Sequence, residues 1–227
     1  MEAYQAAFVD LLVRHQVLRF GDFTLKSGRR SPYFINAGQL RTGAAIGGLG
    51  RAYAAAMQRH DLHCDLVFGP SYKGVPLAVA TATALADLGH DVAFTFDRKE
   101  VKDHGEGGIF VGQTPEPGMR VVIVDDVVTS GISIREAVAL LRRTADVTVS
   151  GVLVAVDRQE RGLNNPNKTT VQELTQELGV PVQAIVTIRE VADDLEDRPI
   201  DGAIVIDSER RQAIDTYLAA HGAKPSS

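Results

Sequence analysis

The chain has 227 residues, of which 44% are hydrophobic and 23% charged, and this composition excludes a mainly disordered protein. Its formal net charge of −5 at pH 7 argues against a broad basic face, so we expect neither nucleic acid nor a membrane as a partner. The single cysteine, Cys64, excludes an internal disulfide, and no apolar run approaches the roughly 18 residues of a membrane span. The N-terminus carries no basic leader, and a cytoplasmic protein is therefore expected.

The first part of the chain is predicted to form two helices around a small extended unit. Apolar residues recur at helical spacing over residues 2–16, and the pattern ends at a turn-rich stretch, residues 21–24. Residues 24–36 contain two short extended segments around a glycine turn with basic residues near the bend, which indicates a small lid-like unit. An Ala- and Gly-rich helix is expected after Thr42, ending at about His60.

The rest of the chain alternates short apolar segments with helical ones, the rhythm of a mostly parallel sheet flanked by helices. Five predicted strands are short and rich in β-branched residues: 65–69, 92–96, 121–124, 149–156 and 183–186. Three predicted helices lie between them: 75–88, 132–143 and 169–178.

The C-terminal segment, residues 188–220, is charged and predicted to be helical, with an ambiguous apolar run at 203–206. No linker divides the chain, so we expect a single domain. In this interpretation a lid-like N-terminal unit covers about residues 1–40, the core covers about residues 62–190, and a helical extension follows.

Residues 121–133 contain the most chemical information. Here an apolar strand runs into two adjacent carboxylates, Asp125 and Asp126, at the end of a strand where open parallel sheets bind ligands. The turn after them places the amides of residues 129–133 at a helix N-terminus, which favours a phosphate, and Gly131 permits close backbone approach. The two carboxylates can accept hydrogen bonds from ribose hydroxyls or hold a hydrated Mg²⁺, whereas an isolated Asp-Asp pair is more often a capped turn.

This segment resembles the phosphoribosyl diphosphate (PRPP) binding motif of type I phosphoribosyltransferases, in which an apolar strand, paired acids and a Thr-Ser-Gly loop follow one another. Ile132 and Ser133 depart from the residues frequent there, but the amides that bind phosphate do not depend on those side chains. The resemblance implies an α/β fold of that type, with a mostly parallel sheet flanked by helices and a small N-terminal hood. It also implies that PRPP contacts a continuous run: Asp125, Asp126, Val127, Val128, Thr129, Ser130, Gly131, Ile132 and Ser133.

A charged segment with three glycines, residues 97–108, is predicted to be a mobile loop, and composition alone would make it a solvated surface. Its order of Arg-Lys-Glu, Lys-Asp-His-Gly and Glu-Gly-Gly resembles the catalytic loop of orotate phosphoribosyltransferases. In that family the loop closes over the pyrophosphate of the neighbouring subunit's substrate. The resemblance therefore implies a homodimer with shared active sites.

Further motifs resemble the same family in the same order: residues 20–28 and 31–36 its hood, residues 69–74 its pyrophosphate loop, and residues 157–162 the strand end on the orotate side. The similarity runs through residues 4–162 and is weaker beyond them. Cations should converge on polyanionic PRPP, and a guanidinium fork suits the carboxylate of orotate.

The resemblance implies a role for each matched residue. The additional PRPP contacts are Lys26, Tyr72, Lys73, Arg98, Lys99, Lys102 and His104. The orotate contacts are Phe34, Ile35, Thr129 and Arg158. The catalytic residues are Lys26, Lys102, His104 and Asp125. Mg²⁺ is the implied cofactor, held mainly by PRPP with water between it and Asp125 or Asp126.

The implied reaction transfers the 5-phosphoribosyl group of PRPP to orotate, giving orotidine 5′-monophosphate and pyrophosphate in de novo pyrimidine (UMP) biosynthesis. Positioning and electrostatic stabilisation suffice for an oxocarbenium-like transition state, so no protein nucleophile is required. A transferase for a purine or another pyrimidine base would share the PRPP motif and stays open. A PRPP-sensing transcription regulator would need a DNA-binding element, and a general nucleotide-binding module would need a G-x-G-x-x-G or Walker loop, which the sequence lacks.

Overall fold

The structure, a computed structural model, describes residues 1–25, 28–98 and 108–223. Seven α-helices lie in these ranges: α1 (Ala3–Arg14), α2 (Gly43–Arg59), α3 (Gly74–Asp87), α4 (Ile132–Thr144), α5 (Thr170–Leu178), α6 (Ile188–Leu195) and α7 (Ser208–His221). The same ranges contain ten strands: β1 (Leu18–Thr24), β2 (Arg30–Ile35), β3 (Leu66–Phe68), β4 (Ala93–Asp97), β5 (Phe110–Gly112), β6 (Arg120–Val127), β7 (Thr148–Asp157), β8 (Val182–Thr187), β9 (Pro199–Ile200) and β10 (Ala203–Ile204). None of the helices described there has both the length and the apolar character needed to cross a bilayer.

Six strands form the central sheet in the order β5-β4-β3-β6-β7-β8. Neighbouring strands are parallel except for β4 and β5, which are antiparallel. Side chains of β6 alternate between two hydrophobic clusters: Val122 and Val124 lie in one, and Val121 and Ile123 lie in the other. A strand that is apolar on both faces must be covered on both faces, so the predicted mostly parallel sheet with flanking helices is confirmed.

The hood contains an antiparallel hairpin of β1 and β2. The prediction of a turn at residues 21–24 is wrong, because these residues continue β1 after an irregularity in pairing between Phe20 and Phe23. Gly21, with a φ of 150°, lies within this irregular stretch. Phe23 stacks on Phe34 of β2 with ring centroids 5.6 Å apart, and this cross-strand contact favours a paired strand over a turn.

Strand β6 is longer than predicted, since it continues beyond Val124 through the two acids to Val127. Val127 still pairs with Val156 of β7. Each carboxylate accepts a hydrogen bond from the next backbone amide, Asp126 N to Asp125 Oδ1 and Val127 N to Asp126 Oδ1, both at 2.9 Å. The acids therefore lie in the last rungs of the strand and not in the turn that follows it.

The C-terminal part is less continuous than predicted. The short hairpin of β9 and β10 separates α6 from α7. Its turn residues Asp201 and Gly202 have φ values of 50° and 84°, left-handed conformations that interrupt a right-handed helix. The ambiguous apolar run at 203–206 begins with β10, whose pairing with β9 settles its conformation as extended.

Candidate active site

The carboxyl ends of four neighbouring parallel strands, β4, β3, β6 and β7, meet at one edge of the sheet. Arg98 follows β4, and Lys73 lies between β3 and α3. Asp126 lies near the end of β6, and Arg158 directly follows β7. Because the ends of parallel strands lie side by side, this topology gathers predicted site residues that are distant in sequence.

A direct contact across this edge joins Lys73 to Asp126. The Nζ atom of Lys73 lies 2.7 Å from Asp126 Oδ2. The carboxylate is 6% exposed, whereas the lysine side chain is 60% exposed. The ammonium group therefore neutralises a buried acid while remaining accessible to an anionic ligand.

Asp125 is buried beside this ion pair. Its Oδ2 accepts a hydrogen bond from Ser133 Oγ at 3.1 Å, and its backbone carbonyl accepts one from the hydroxyl of Tyr53 at 2.7 Å. Burial, together with the negative charge of Asp126, raises the pKa of Asp125 to about 6. Burial also raises the pKa of Asp157, the last residue of β7, to about 6. The edge thus contains two carboxyl groups whose ionisation opposes folding.

The predicted phosphate loop, residues 128–131, ends at a glycine in a left-handed conformation. Gly131 precedes α4 with a φ of 73°, and a Cβ at this position would lie 2.9 Å from the side chain of Leu174. The first helical hydrogen bond of α4 runs from Arg135 N to Gly131 O. The amides of residues 132–134 precede that bond, and such amides at a helix N-terminus suit a phosphate.

Two side chains outside the phosphate loop fix its backbone. Arg135 Nη1 donates to Ser130 O at 2.8 Å, and Thr170 Oγ1 donates to Thr129 O at 3.3 Å. Arg135 is itself held by Glu177, which accepts from its Nε at 2.8 Å. Two loop carbonyls therefore accept from donors of α4 and α5, and these bonds tie the loop backbone to both helices.

The other predicted PRPP contacts are placed only in part. Tyr72 is 71% exposed and follows a cis peptide bond from Ser71. The amide of Ser71 donates to Asp97 Oδ1 at 2.7 Å, which ties this loop to the end of β4 beside Arg98. Four predicted site residues lie outside the described residues: Lys26, Lys99, Lys102 and His104.

On the predicted orotate side, Arg158 is 7% exposed. Its guanidinium lies over the ring of Tyr33, 4.7 Å from the centroid, and its Nε donates to Glu160 Oε1 at 2.8 Å. Burial lowers the pKa of Arg158, but Tyr33 and Glu160 together raise it above its ordinary value, so the guanidinium is charged. Phe34 and Ile35 are half-buried and follow Tyr33 on β2.

The sequence analysis does not assign three residues that contact these groups: Tyr33, Glu160 and Tyr217. Tyr33 and Glu160 lie inside the matched motifs, but their spacing alone says nothing of what they touch. The hydroxyl of Tyr217 donates to Glu160 Oε1 at 2.8 Å across 57 residues of sequence, and no local signal predicts such a contact. Tyr53 is missed for the same reason, since it reaches Asp125 from α2.

The donor set suits a hydrated cation better than a directly coordinated one. Among residues 1–25, 28–98 and 108–223, no group of three or more His, Cys, Asp or Glu side chains could hold a metal ion. All four carboxylate oxygens of Asp125 and Asp126 already accept a contact from a protein donor. These acids can accept hydrogen bonds from the water shell of an Mg²⁺ ion without losing those contacts.

Comparison with known proteins agrees with this geometry. Residues 36–184 match the family model described as a phosphoribosyl transferase domain. Over 224 residues the chain is 44% identical to an orotate phosphoribosyltransferase of Lachnoclostridium phytofermentans, with 98% of this chain and 99% of the relative covered. It is 50% identical to an orotate phosphoribosyltransferase of Marinobacter nauticus, with 88% of this chain and 92% of the relative covered. The chain belongs to the orotate phosphoribosyltransferase family.

A crystal structure of an orotate phosphoribosyltransferase from Francisella tularensis has the same fold. It matches with a TM-score of 0.80 and 33% identity, and the match covers 95% of this chain and 98% of that one. Membership of the orotate phosphoribosyltransferase family confirms the resemblance drawn from the motifs, and the α/β fold of that family is confirmed as well. The family model ends at residue 184, before α6 and α7.

Proposed function

We propose that the chain transfers the 5-phosphoribosyl group of PRPP to orotate, with orotidine 5′-monophosphate and pyrophosphate as products, as a step of de novo UMP biosynthesis. The observation on which this rests is the proximity of a phosphate loop and a buried arginine. Val127, just before the loop, pairs with Val156, two residues before Arg158. One nucleotide can therefore place its phosphate at the loop amides and a carboxylate-bearing base near Arg158.

The paired acids would hold the ribose. Ribose hydroxyls are donors, and Asp125 and Asp126 offer acceptor oxygens between the phosphate loop and Lys73. A ribose held at both its phosphate and its hydroxyls presents the anomeric carbon in one orientation to the attacking nitrogen of the base. Positioning then takes the place of a protein nucleophile, and the anomeric centre inverts.

Cationic side chains would neutralise the negative charge of the departing pyrophosphate. Positive charge close to the leaving group stabilises the charge that develops in the transition state. We assign this role to Lys26, Lys73, Arg98, Lys99, Lys102 and His104, with Tyr72 beside them as a contact to the pyrophosphate. The ion pair of Lys73 with Asp126 supports the assignment, because it holds an exposed ammonium at the strand edge.

We propose Mg²⁺ as the cofactor. Bound to PRPP, the ion supplies charge neutralisation of the pyrophosphate. Asp125 and Asp126 would accept hydrogen bonds from its water shell, which fits carboxylates whose oxygens are already engaged by protein donors.

Orotate would be recognised by its carboxylate and its ring edges. Arg158 supplies the guanidinium for the carboxylate, and Phe34, Ile35 and Thr129 supply backbone or side-chain contacts to the ring. The test compares orotate, uracil, adenine and hypoxanthine as substrates at one PRPP concentration. We expect conversion of orotate alone, and uracil consumed as fast as orotate would refute the assignment.

We propose that the active unit is a homodimer in which residues 97–108 of one subunit complete the site of the other. Apolar side chains in a surface groove between α2 and α3 support an interface between copies, and they include Ile46, Pro76 and Val79. Lys102→Ala and Asp125→Asn should each abolish activity. After subunit exchange in equal amounts, half of the dimers are mixed and each has one intact site, so about a quarter of the wild-type activity should return. Failure to regain activity after verified exchange would contradict loop sharing.

We further propose that hood, core and C-terminal extension work as a single domain in the cytoplasm. Tyr33 of the hood packs edge-on against Tyr217 of α7, with ring centroids 5.6 Å apart, which supports one unit. The single cysteine, Cys64, cannot form an internal disulfide, which supports a reducing compartment.

A further inference from the structure

Glu160 is a buried carboxylate held by three different parts of the chain. It is 8% exposed. Its Oε1 accepts from Arg158 Nε and from the hydroxyl of Tyr217, each at 2.8 Å. Its Oε2 accepts from Arg29 Nη1, between the two hood strands, at 3.0 Å. A buried charge costs free energy unless it is paired and hydrogen-bonded, and these three donors satisfy Glu160.

Glu160 and Tyr33 together hold the Arg158 guanidinium in place. Arg158 Nε and Nη2 both face Glu160, and Nη2 lies 2.6 Å from Glu160 Oε1. The ring of Tyr33 covers one face of the same guanidinium. Arg158 is therefore fixed by stacking and by the edge that carries Nε and Nη2, and its Nη1 takes no part in the contact with Glu160.

Helix α7 contacts this cluster through its C-terminal part. Besides the Tyr217 hydroxyl, the end of α7 is joined to the strand end by Arg161 N, which donates to His221 O at 3.0 Å. Glu160 also forms an isolated antiparallel bridge with Gly222. The position of Glu160, and through it the position of Arg158, thus depends on a helix that lies beyond the matched phosphoribosyl transferase domain.

We propose that Glu160 is a positioning residue, and that α7, acting through Tyr217 and Glu160, sets the affinity of the site for the carboxylate of the base. The inference rests on the proposed function, because it takes orotate as the base. The C-terminal helix then takes part in substrate recognition. Changes in this helix should alter the affinity for the base separately from the affinity for PRPP.

The test compares binding of orotidine 5′-monophosphate with binding of UMP, which is the same nucleotide without the carboxylate. The wild-type protein should bind orotidine 5′-monophosphate more tightly than UMP, because only orotidine 5′-monophosphate has a carboxylate for Arg158. Tyr217→Phe keeps the ring and its contact with Tyr33 but removes the hydroxyl, and it should weaken orotidine 5′-monophosphate about tenfold while UMP changes by less than about twofold. Glu160→Gln should weaken the binding of orotidine 5′-monophosphate further. In both variants the KM for orotate should rise while the KM for PRPP stays unchanged.

Ile214→Val is the matched control, since Ile214 is a buried residue one turn earlier on α7. It should lower the melting temperature without changing the ratio of the two nucleotide affinities. Equal binding of both nucleotides to the wild-type protein would refute the proposed function itself. A wild-type preference that Tyr217→Phe leaves intact would refute only the role of α7, and so would an equal loss of preference in Ile214→Val. If Glu160→Gln does not fold, Tyr217→Phe decides the question alone.

Discussion

Replacing Asp125 with Asn should stabilise the fold while it abolishes activity. Burial and the charge of Asp126 raise the pKa of Asp125 from 3.8 to about 6, and the residue is 7% exposed, so solvent screens little of this effect. A shift of about 2 pKa units corresponds to about 3 kcal/mol of unfolding free energy lost when Asp125 ionises. Asn is neutral at every pH, its carbonyl can still accept from the amide of Asp126, and the Ser133 hydroxyl can accept from its amide group.

The sign of the pH dependence follows from the raised pKa. The folded chain binds the Asp125 proton more tightly than the unfolded chain, so stability is retained below about pH 4 and is lost as the pH rises towards about 6. Asp125→Asn does not suffer this loss. The free energy of unfolding of this variant should therefore exceed that of the wild-type protein by more at pH 7.5 than at pH 4.5, and the two excesses should differ by about 2 kcal/mol. Urea unfolding at one protein concentration measures both differences.

Asp157→Asn provides the matched comparison, because burial also raises the pKa of Asp157 to about 6. It should show a similar pH-dependent gain, although Asp157 is not assigned to the ribose. PRPP binding, measured by calorimetry, should be weakened only by Asp125→Asn. A gain that is equal at both pH values, or an Asp125→Asn variant that is less stable than the wild-type protein at pH 7.5, would refute the reasoning.

Three other variants separate the parts of the site by initial rates. Lys73→Met removes an exposed ammonium from the strand edge and should raise the KM for PRPP about 10- to 100-fold; an unchanged KM would remove Lys73 from the pyrophosphate site. Gly131→Ala forces a left-handed conformation and brings a Cβ to 2.9 Å from Leu174, so it should lower the unfolding free energy by about 1–2 kcal/mol and raise the KM for PRPP more than that for orotate. Arg158→Lys loses the planar fork and should raise the KM for orotate about tenfold or more with little effect on PRPP, and the reverse pattern would contradict its assignment.

Much of the fold is predictable because buried parallel strands have a plain signature. The apolar run at 121–124 predicts β6, and strand ends in a parallel sheet meet at one edge, so the proximity of Lys73 and Asp126 follows from topology. The end of β6 is not predictable in this way. Asp125 and Asp126 are poor strand formers by propensity, and β6 continues through them because its backbone still pairs with β7 as far as Val127 and Val156.

Other features depend on contacts that no sequence window contains. β9 and β10 have two residues each, too few for a periodic pattern. Residues 21–24 contain turn-forming types, yet the stacking of Phe23 on Phe34 keeps them in β1. The contact of Tyr217 with Glu160 joins α7 to the strand end after β7, and it becomes visible only once the tertiary fold is in place.

The proposed reaction couples orotate to PRPP with the help of Mg²⁺. The most direct measurement follows the loss of ultraviolet absorbance of orotate in the presence of the purified protein. Absorbance should fall only when both PRPP and Mg²⁺ are present, chelation of the metal should stop the reaction, and addition of pyrophosphate should reverse it. Stable absorbance with all components present, together with conversion of another base under the same conditions, would contradict the account.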